Sequence, residues 1–330
     1  MSASRIWVGG YTEDSNGMAE GIVLLSVASN GSLVDRGLAV VADSPSYLVR
    51  GGDVIYAVGE AAPSLSAFSI HGDELHFAGT QDAAGPAPCA LAVLGANAVL
   101  AAACYGDGTI DLHPLSSGGA ILKTGQTLRG VGKGPRINQD GPHAHAVLQV
   151  DSSTVLTTDL GSDVVYIHSF DGALLTRIGR TVLPAGSGPR DLLRHPSGVV
   201  WVLTELSHEI YVLDGSDFSI VSRVALPGAL PTDNSAAIAL SDDGRFAYAG
   251  SRGSDTIAVL GVAADGRDLT PITSIGSGGG WPRHLVVDGP YLRVANQLTN
   301  EVVTFEIGND GIPVYSSSQF VPSPTYLLLD

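Results

Sequence analysis

Six short apolar strands of one form end on polar residues: Glu60, Tyr105, Asp159, Glu205, Arg252 and Gln297. A second polar set opens the strands that precede four of these. It comprises His143 and His145 in Gly-Pro-His-Ala-His-Ala, Arg190 in Gly-Pro-Arg-Asp, Ser235, and Arg283 in Trp-Pro-Arg-His. If the two strands of each pair are antiparallel neighbours, the start of one and the end of the next share a sheet edge. His143 and His145 then face Asp159, Arg190 faces Glu205, Ser235 faces Arg252, and Arg283 faces Gln297. Arginine forks bind carboxylate or phosphate and stabilise oxyanions. A His or Glu beside them can move a proton. The set suits a small anionic substrate whose carbonyl or enol oxygen becomes negative in the transition state. The matching positions of earlier repeats hold Ser46 and Cys89, so the charge is confined to one sector.

Plainer roles compete for the same residues. Arg190 and Glu205 could form a structural ion pair, and His145 could be a satisfied core histidine. His143, His145 and Asp159 could ligate a divalent ion, but Arg190 and Arg252 would set positive charge beside it. Neither a metal nor any other cofactor is therefore expected. His168, His195 and His208 read as residues of outer strands or turns. There is no Gly-x-Ser-x-Gly, phosphate loop or dinucleotide fingerprint.

The spacing of the six strand ends is 45, 54, 46, 47 and 45 residues. A period of about 40–50 residues with three or four strands per repeat signals a β-propeller. Equivalent positions of every blade then surround one axis, and the six polar residues surround one mouth. The expected fold is all-β, a single seven-bladed propeller domain over residues 1–330. Arg5–Thr12 reads as a second strand and residues 21–27 as a third. Their missing first strand matches Pro324-Thr-Tyr-Leu-Leu-Leu-Asp330, so one blade is sewn from both termini and no edge is left open. The spacing of 54 reflects an insertion at about 129–141, just before His143, which could be a lid or a wall of the site.

Composition narrows the partners. The net charge of −16, from 33 acids against 17 Lys plus Arg, argues against nucleic acid and anionic membrane surfaces. No leader peptide is readable at the N-terminus, and no apolar run of 18 residues exists. A cytoplasmic location is expected, with Cys89 and Cys104 reduced.

Several motifs carry a specific resemblance. They are Gly141-Pro-His-Ala-His-Ala-Val147, Thr158-Asp-Leu-Gly-Ser-Asp163, Gly188-Pro-Arg-Asp-Leu192, His195-Pro-Ser-Gly198, Ser251-Arg-Gly-Ser-Asp255, Val294-Ala-Asn-Gln297 and Val8-Gly-Gly-Tyr-Thr12. Together they resemble the seven-bladed propeller lactonase family, which holds propeller-type 6-phosphogluconolactonases and carboxymuconate lactonising enzymes. The resemblance covers nearly the whole chain. It implies a catalytic set of His145, Arg190, Glu205 and Arg252, with His143, Asp159, Arg283, Gln297 and Glu60 as substrate-binding residues. The chain departs from the family pattern at Ala90, Cys104 and Asp191, where His, Asn and His are usual.

The leading expectation is hydrolysis of an acidic sugar lactone or related anionic lactone, with His145 or Glu205 activating water. A carboxymuconate-type cycloisomerase would use the same sector without a water nucleophile. A non-catalytic propeller that binds a ligand or a protein is the third reading.

Overall fold

The computed structural model describes residues 5–330. The chain folds as a seven-bladed β-propeller, and each blade is a four-stranded antiparallel sheet. Blade 1 is made of Pro324–Leu329, Arg5–Gly10, Gly21–Val27 and Leu33–Val41. Blade 2 follows with Leu48–Gly51, Val54–Gly59, Ser64–His71 and Glu74–Asp82, and blade 3 with Pro88–Leu94, Val99–Cys104, Thr109–Pro114 and Gln126–Arg129. Blade 4 holds Ala144–Gln149, Thr154–Asp159, Val164–Phe170 and Leu175–Val182. Blade 5 holds Pro189–Arg194, Val200–Thr204, Glu209–Leu213 and Ile220–Ala225. Blade 6 holds Asn234–Leu240, Phe246–Arg252, Thr256–Val262 and Leu269–Gly276, and blade 7 Pro282–Asp288, Tyr291–Asn296, Glu301–Ile307 and Pro313–Phe320. The blade sewn from both ends is as expected: Trp7 pairs with Leu328 and Val8 with Leu327. Residues 1–4, part of the stretch read for a leader, lie outside the described residues. No helix among the described residues is long and apolar enough to cross a membrane.

Burial follows strand position. Second strands such as Val99–Cys104 are buried at every residue, because both of their faces pack against apolar side chains. Fourth strands such as Leu175–Val182 alternate exposed and covered residues, the pattern of a sheet with one wet face. By compactness the chain divides into two units. One comprises residues up to Gly10, Val23–Gly37 and Arg190–Asp330; the other comprises Tyr11–Ile22 and Leu38–Pro189. In the first unit, Trp201, Leu203, Ile210, Ala249 and Leu260 form a core between blades 5 and 6. In the second, Leu94, Ala101, Leu112, Val155 and Phe170 do the same between blades 3 and 4. Neither Cys89 nor Cys104 is in a disulfide among the described residues.

One local device recurs where the second strand turns into the third. Gly108, Asp163, His208, Asp255 and Asn300 all take a positive φ there, between 55° and 73°. Asp, Asn and His tolerate this left-handed conformation better than most residues. The side chains then tie the turn to the approach of the following blade. Asp163 accepts the N–H of Gly188, Asp255 that of Trp281 and Asn300 that of Ser323. His208 Nδ1 lies 3.2 Å from the Ser235 hydroxyl. The residues that open the next first strand are therefore fixed by a turn one blade earlier.

Candidate functional site

A second recurring device re-aims side chains at the strand starts. The first strands of blades 3, 4, 6 and 7 carry a bulge near their beginning, at Cys89, His145–Ala146, Ala236–Ala237 and Arg283. Bulges cluster beside active sites because an extra residue turns a side chain out of the pleat. His145 and Arg283 both occupy such positions.

Within the first unit, three predicted residues converge. Glu205 follows the second strand of blade 5, and two guanidiniums share its carboxylate. Oε2 lies 2.5 Å from Arg190 Nη1, and Oε1 lies 3.1 Å from Arg252 Nη2. Blade 6 aims both arginines through its backbone. Arg190 Nε donates to the Ala236 carbonyl at 2.8 Å, and Arg252 Nε to the Asn234 carbonyl at 3.1 Å. Arg190, Glu205 and Arg252 are 7%, 9% and 5% exposed. Two guanidiniums and one carboxylate thus meet in a setting of low dielectric, where charges act on one another and on a ligand strongly. Arg252 also stands 5.5 Å from the ring of Trp281, whose φ of 65° is strained for so bulky a residue.

The expected pairing of Arg190 with Glu205 is present. The expected pairing of Ser235 with Arg252 is not: Ser235 pairs with Ser251, and Asn234 stands opposite Arg252. Arg252 instead reaches the previous blade's Glu205, a contact that antiparallel pairing within one blade does not reveal. Gln297 donates its backbone N–H to the Trp281 carbonyl. Its side-chain Oε1 is buried without a hydrogen-bond donor among the described residues. Asp191, next to Arg190, accepts the N–H groups of Leu192 and Ile238. Burial pushes its carboxyl up to about 6.

The second unit holds the histidines, grouped around Tyr105. The His143 ring stacks on Tyr105 at 4.5 Å, and the His145 ring meets it edge-on at 6.1 Å. His143 Nδ1 lies 2.6 Å from the Tyr105 carbonyl and Nε2 lies 3.1 Å from the Asp140 carboxylate. Both His143 nitrogens are thus engaged. Asp159 is buried, and its Oδ1 accepts the N–H groups of His143 and Ser162. Burial raises its pKa above the usual carboxylate range, against the pull of those bonds. Its contact with His143 runs through the backbone, not ring to carboxylate.

The insertion before His143 is pinned in place. Buried Gln139 donates to the Leu160 carbonyl and to Asp163, and accepts the N–H of Arg136. Glu60 follows the second strand of blade 2, where it accepts from the hydroxyls of Tyr11 and Ser46. Sequence reasoning missed Tyr105 as the platform for both histidines. It also gave His208 no role, although His208 holds Ser235. Spacing alone carried a usable signal for His208, because it aligns with Asp163, Asp255 and Asn300.

Known proteins agree with this architecture. A family model described as "Lactonase, 7-bladed beta-propeller" matches residues 5–328. A protein of Bacillus subtilis named 6-phosphogluconolactonase is 31% identical over 317 residues, which cover 91% of this chain and 90% of its own. A solved structure from Lactobacillus plantarum superposes with a TM-score of 0.91 at 30% identity, covering 99% of both chains. Another from Bacteroides fragilis gives 0.92 at 26% identity, covering 100% of this chain and 98% of its own.

Proposed function

The chain belongs to the seven-bladed β-propeller lactonase family, and we propose that it hydrolyses an acidic sugar lactone or a related anionic lactone, as a 6-phosphogluconolactonase does. The observation that carries the proposal is the Arg190–Glu205–Arg252 cluster. Glu205 accepts from Arg190 Nη1 and lies 3.1 Å from Arg252 Nη2, so it serves to orient the two guanidiniums. We assign the proton transfer to His145, which is set in a bulge.

In this mechanism His145 takes a proton from water as the water oxygen attacks the lactone carbonyl. The carbonyl oxygen becomes negative and is stabilised by Arg190 and Arg252. The ring C–O bond then breaks, and the departing alkoxide recovers the proton from His145. The product is the hydroxy acid. Arg283, His143 and Glu60 bind the substrate's polar groups. Gln297 offers its acceptor oxygen to a substrate hydroxyl. Asp159 acts through the backbone that carries His143.

The test is a panel of lactones followed by pH-stat, beside muconates followed by ultraviolet absorbance. Acid release from a sugar lactone, with the diene absorbance of muconates unchanged, is the expected result. Loss of diene absorbance without acid release would replace hydrolysis by cycloisomerisation. No reaction in either panel would leave a binding protein.

A further inference from the structure

The first strands of blades 5, 6, 7 and 1 line a cavity of about 510 Å³, none of whose lining residues belongs to the Arg190–Glu205–Arg252 cluster. Three of these strands share one form: Pro189-Arg-Asp-Leu-Leu-Arg194, Pro282-Arg-His-Leu-Val-Val287 and Pro324-Thr-Tyr-Leu-Leu-Leu329. Asp191, His284 and Tyr326 therefore occupy one level, and Leu193, Val286 and Leu328 the level beyond. The His284 and Tyr326 rings lie 4.0 Å apart, as this register requires. Arg194 follows Asp191 by three residues, roughly 10 Å further along the strand.

The walls are apolar except at Arg194, His284 and the hydroxyl of Tyr326. Arg194 is the one charged residue among those lining the cavity, in a chain with 33 acids. Among the described residues its guanidinium has no ion pair or hydrogen bond. His284 stands at the other end. Its Nδ1 accepts the N–H of Leu327 at 3.3 Å, which places the ring proton on Nε2. Burial, and then the charge of Arg190, push His284 down to about 3, so the ring is neutral. Its Nε2–H is a fixed donor without a hydrogen bond inside the protein among the described residues.

We propose that this cavity binds a medium-chain aliphatic carboxylate that carries an oxygen near its far end. The carboxylate sits on Arg194, the chain crosses Leu193, Val286 and Leu328, and the far oxygen accepts from His284 Nε2. The volume lies within the ordinary range of small-molecule sites. An eight-carbon chain covers about the 10 Å of strand that separates the two levels. The site is independent of the lactone chemistry proposed above.

Titration calorimetry with octanoate and 8-hydroxyoctanoate tests it. Both acids should bind, the hydroxy acid several-fold more tightly, as one added hydrogen bond allows. Arg194→Ala, on an exposed residue, should weaken both by tenfold or more. His284→Ala should erase the difference between the two acids, and His284→Gln, which keeps an N–H donor, should restore part of it. Failure of both acids to bind at millimolar concentration, affinity unchanged in Arg194→Ala, or equal affinity of the two acids for the unaltered protein would each overturn the proposal.

Discussion

Two buried arginine clusters lie in the same unit and are built to opposite ends. In blade 7, Arg293 meets a single carboxylate: Nη2 lies 3.0 Å from Asp288, and Nη1 donates to the Gly31 carbonyl and the Thr304 hydroxyl at 2.6 Å each. One positive charge meets one negative, the guanidinium is fully buried, and its donors are spent inside the protein. In blades 5 and 6, two guanidiniums share one carboxylate. On the function proposed above, this sharing separates an arginine that holds strands together from arginines kept for a ligand.

The largest expected effect tests that distinction directly. Arg190→Ala or Arg252→Ala should lower lactone turnover by roughly 10²–10³, as loss of a preorganised donor does. Normal turnover in both variants, with lowered melting points, would make the two clusters alike and remove the catalytic reading. Arg293→Ala should do the reverse. It leaves Asp288 uncompensated, at a cost of about 3–5 kcal/mol of stability, seen as a lower denaturant midpoint with KM unchanged.

A third buried pair sharpens the comparison through pH. His113 Nε2 lies 2.8 Å from Asp111 and Nδ1 2.8 Å from the Leu122 carbonyl, so both nitrogens face acceptors. Burial alone would lower its pKa, but these bonds outweigh it and the net shift is upward. The stability it adds is fully present below the ordinary histidine value, near 6.5, and is lost as pH rises through the raised one. His168 in blade 4 is pushed by burial to about 4. Its contribution therefore runs the other way, present above 6.5 and lost as pH falls toward 4. Melting curves between pH 6 and 9 should flatten in His113→Asn relative to the unaltered protein. An identical slope would mean that His113 is neutral in the fold.

The smallest expected effect is none. Dialysis against EDTA should leave activity unchanged, since His143 spends both ring nitrogens on protein acceptors and Arg190 and Arg252 repel cations. Loss of activity restored by one divalent ion would return His143, His145 and Asp159 to the role of ligands.

Much of this was legible in the chain because blades repeat. Strand ends near Glu60, Asp159, Glu205 and Arg252 fall within one residue of where the period sets them. The blade shared by the two termini was readable because Pro324-Thr-Tyr-Leu matches the form of Pro45-Ser-Tyr-Leu. Contacts between blades were not readable. The reach of Arg252 to Glu205 depends on how two sheets pack, and on the carbonyls that a bulge exposes at Ala236. Bulges leave no mark in an alternation of apolar residues. The partnership of Arg293 with Asp288 was hidden for a similar reason, since both sit in strands that read simply as apolar.

The strand Pro324–Leu329 gives the molecule an order of events in time. During synthesis, Trp7 emerges long before Asp330, whose carboxylate accepts its indole N–H 323 positions later in sequence and also meets Arg5. Until then the Arg5–Gly10 strand has a neighbour on one side only. A chain cut short of Pro324 leaves a bare hydrogen-bonding edge on that sheet, a template on which a second copy can add a strand.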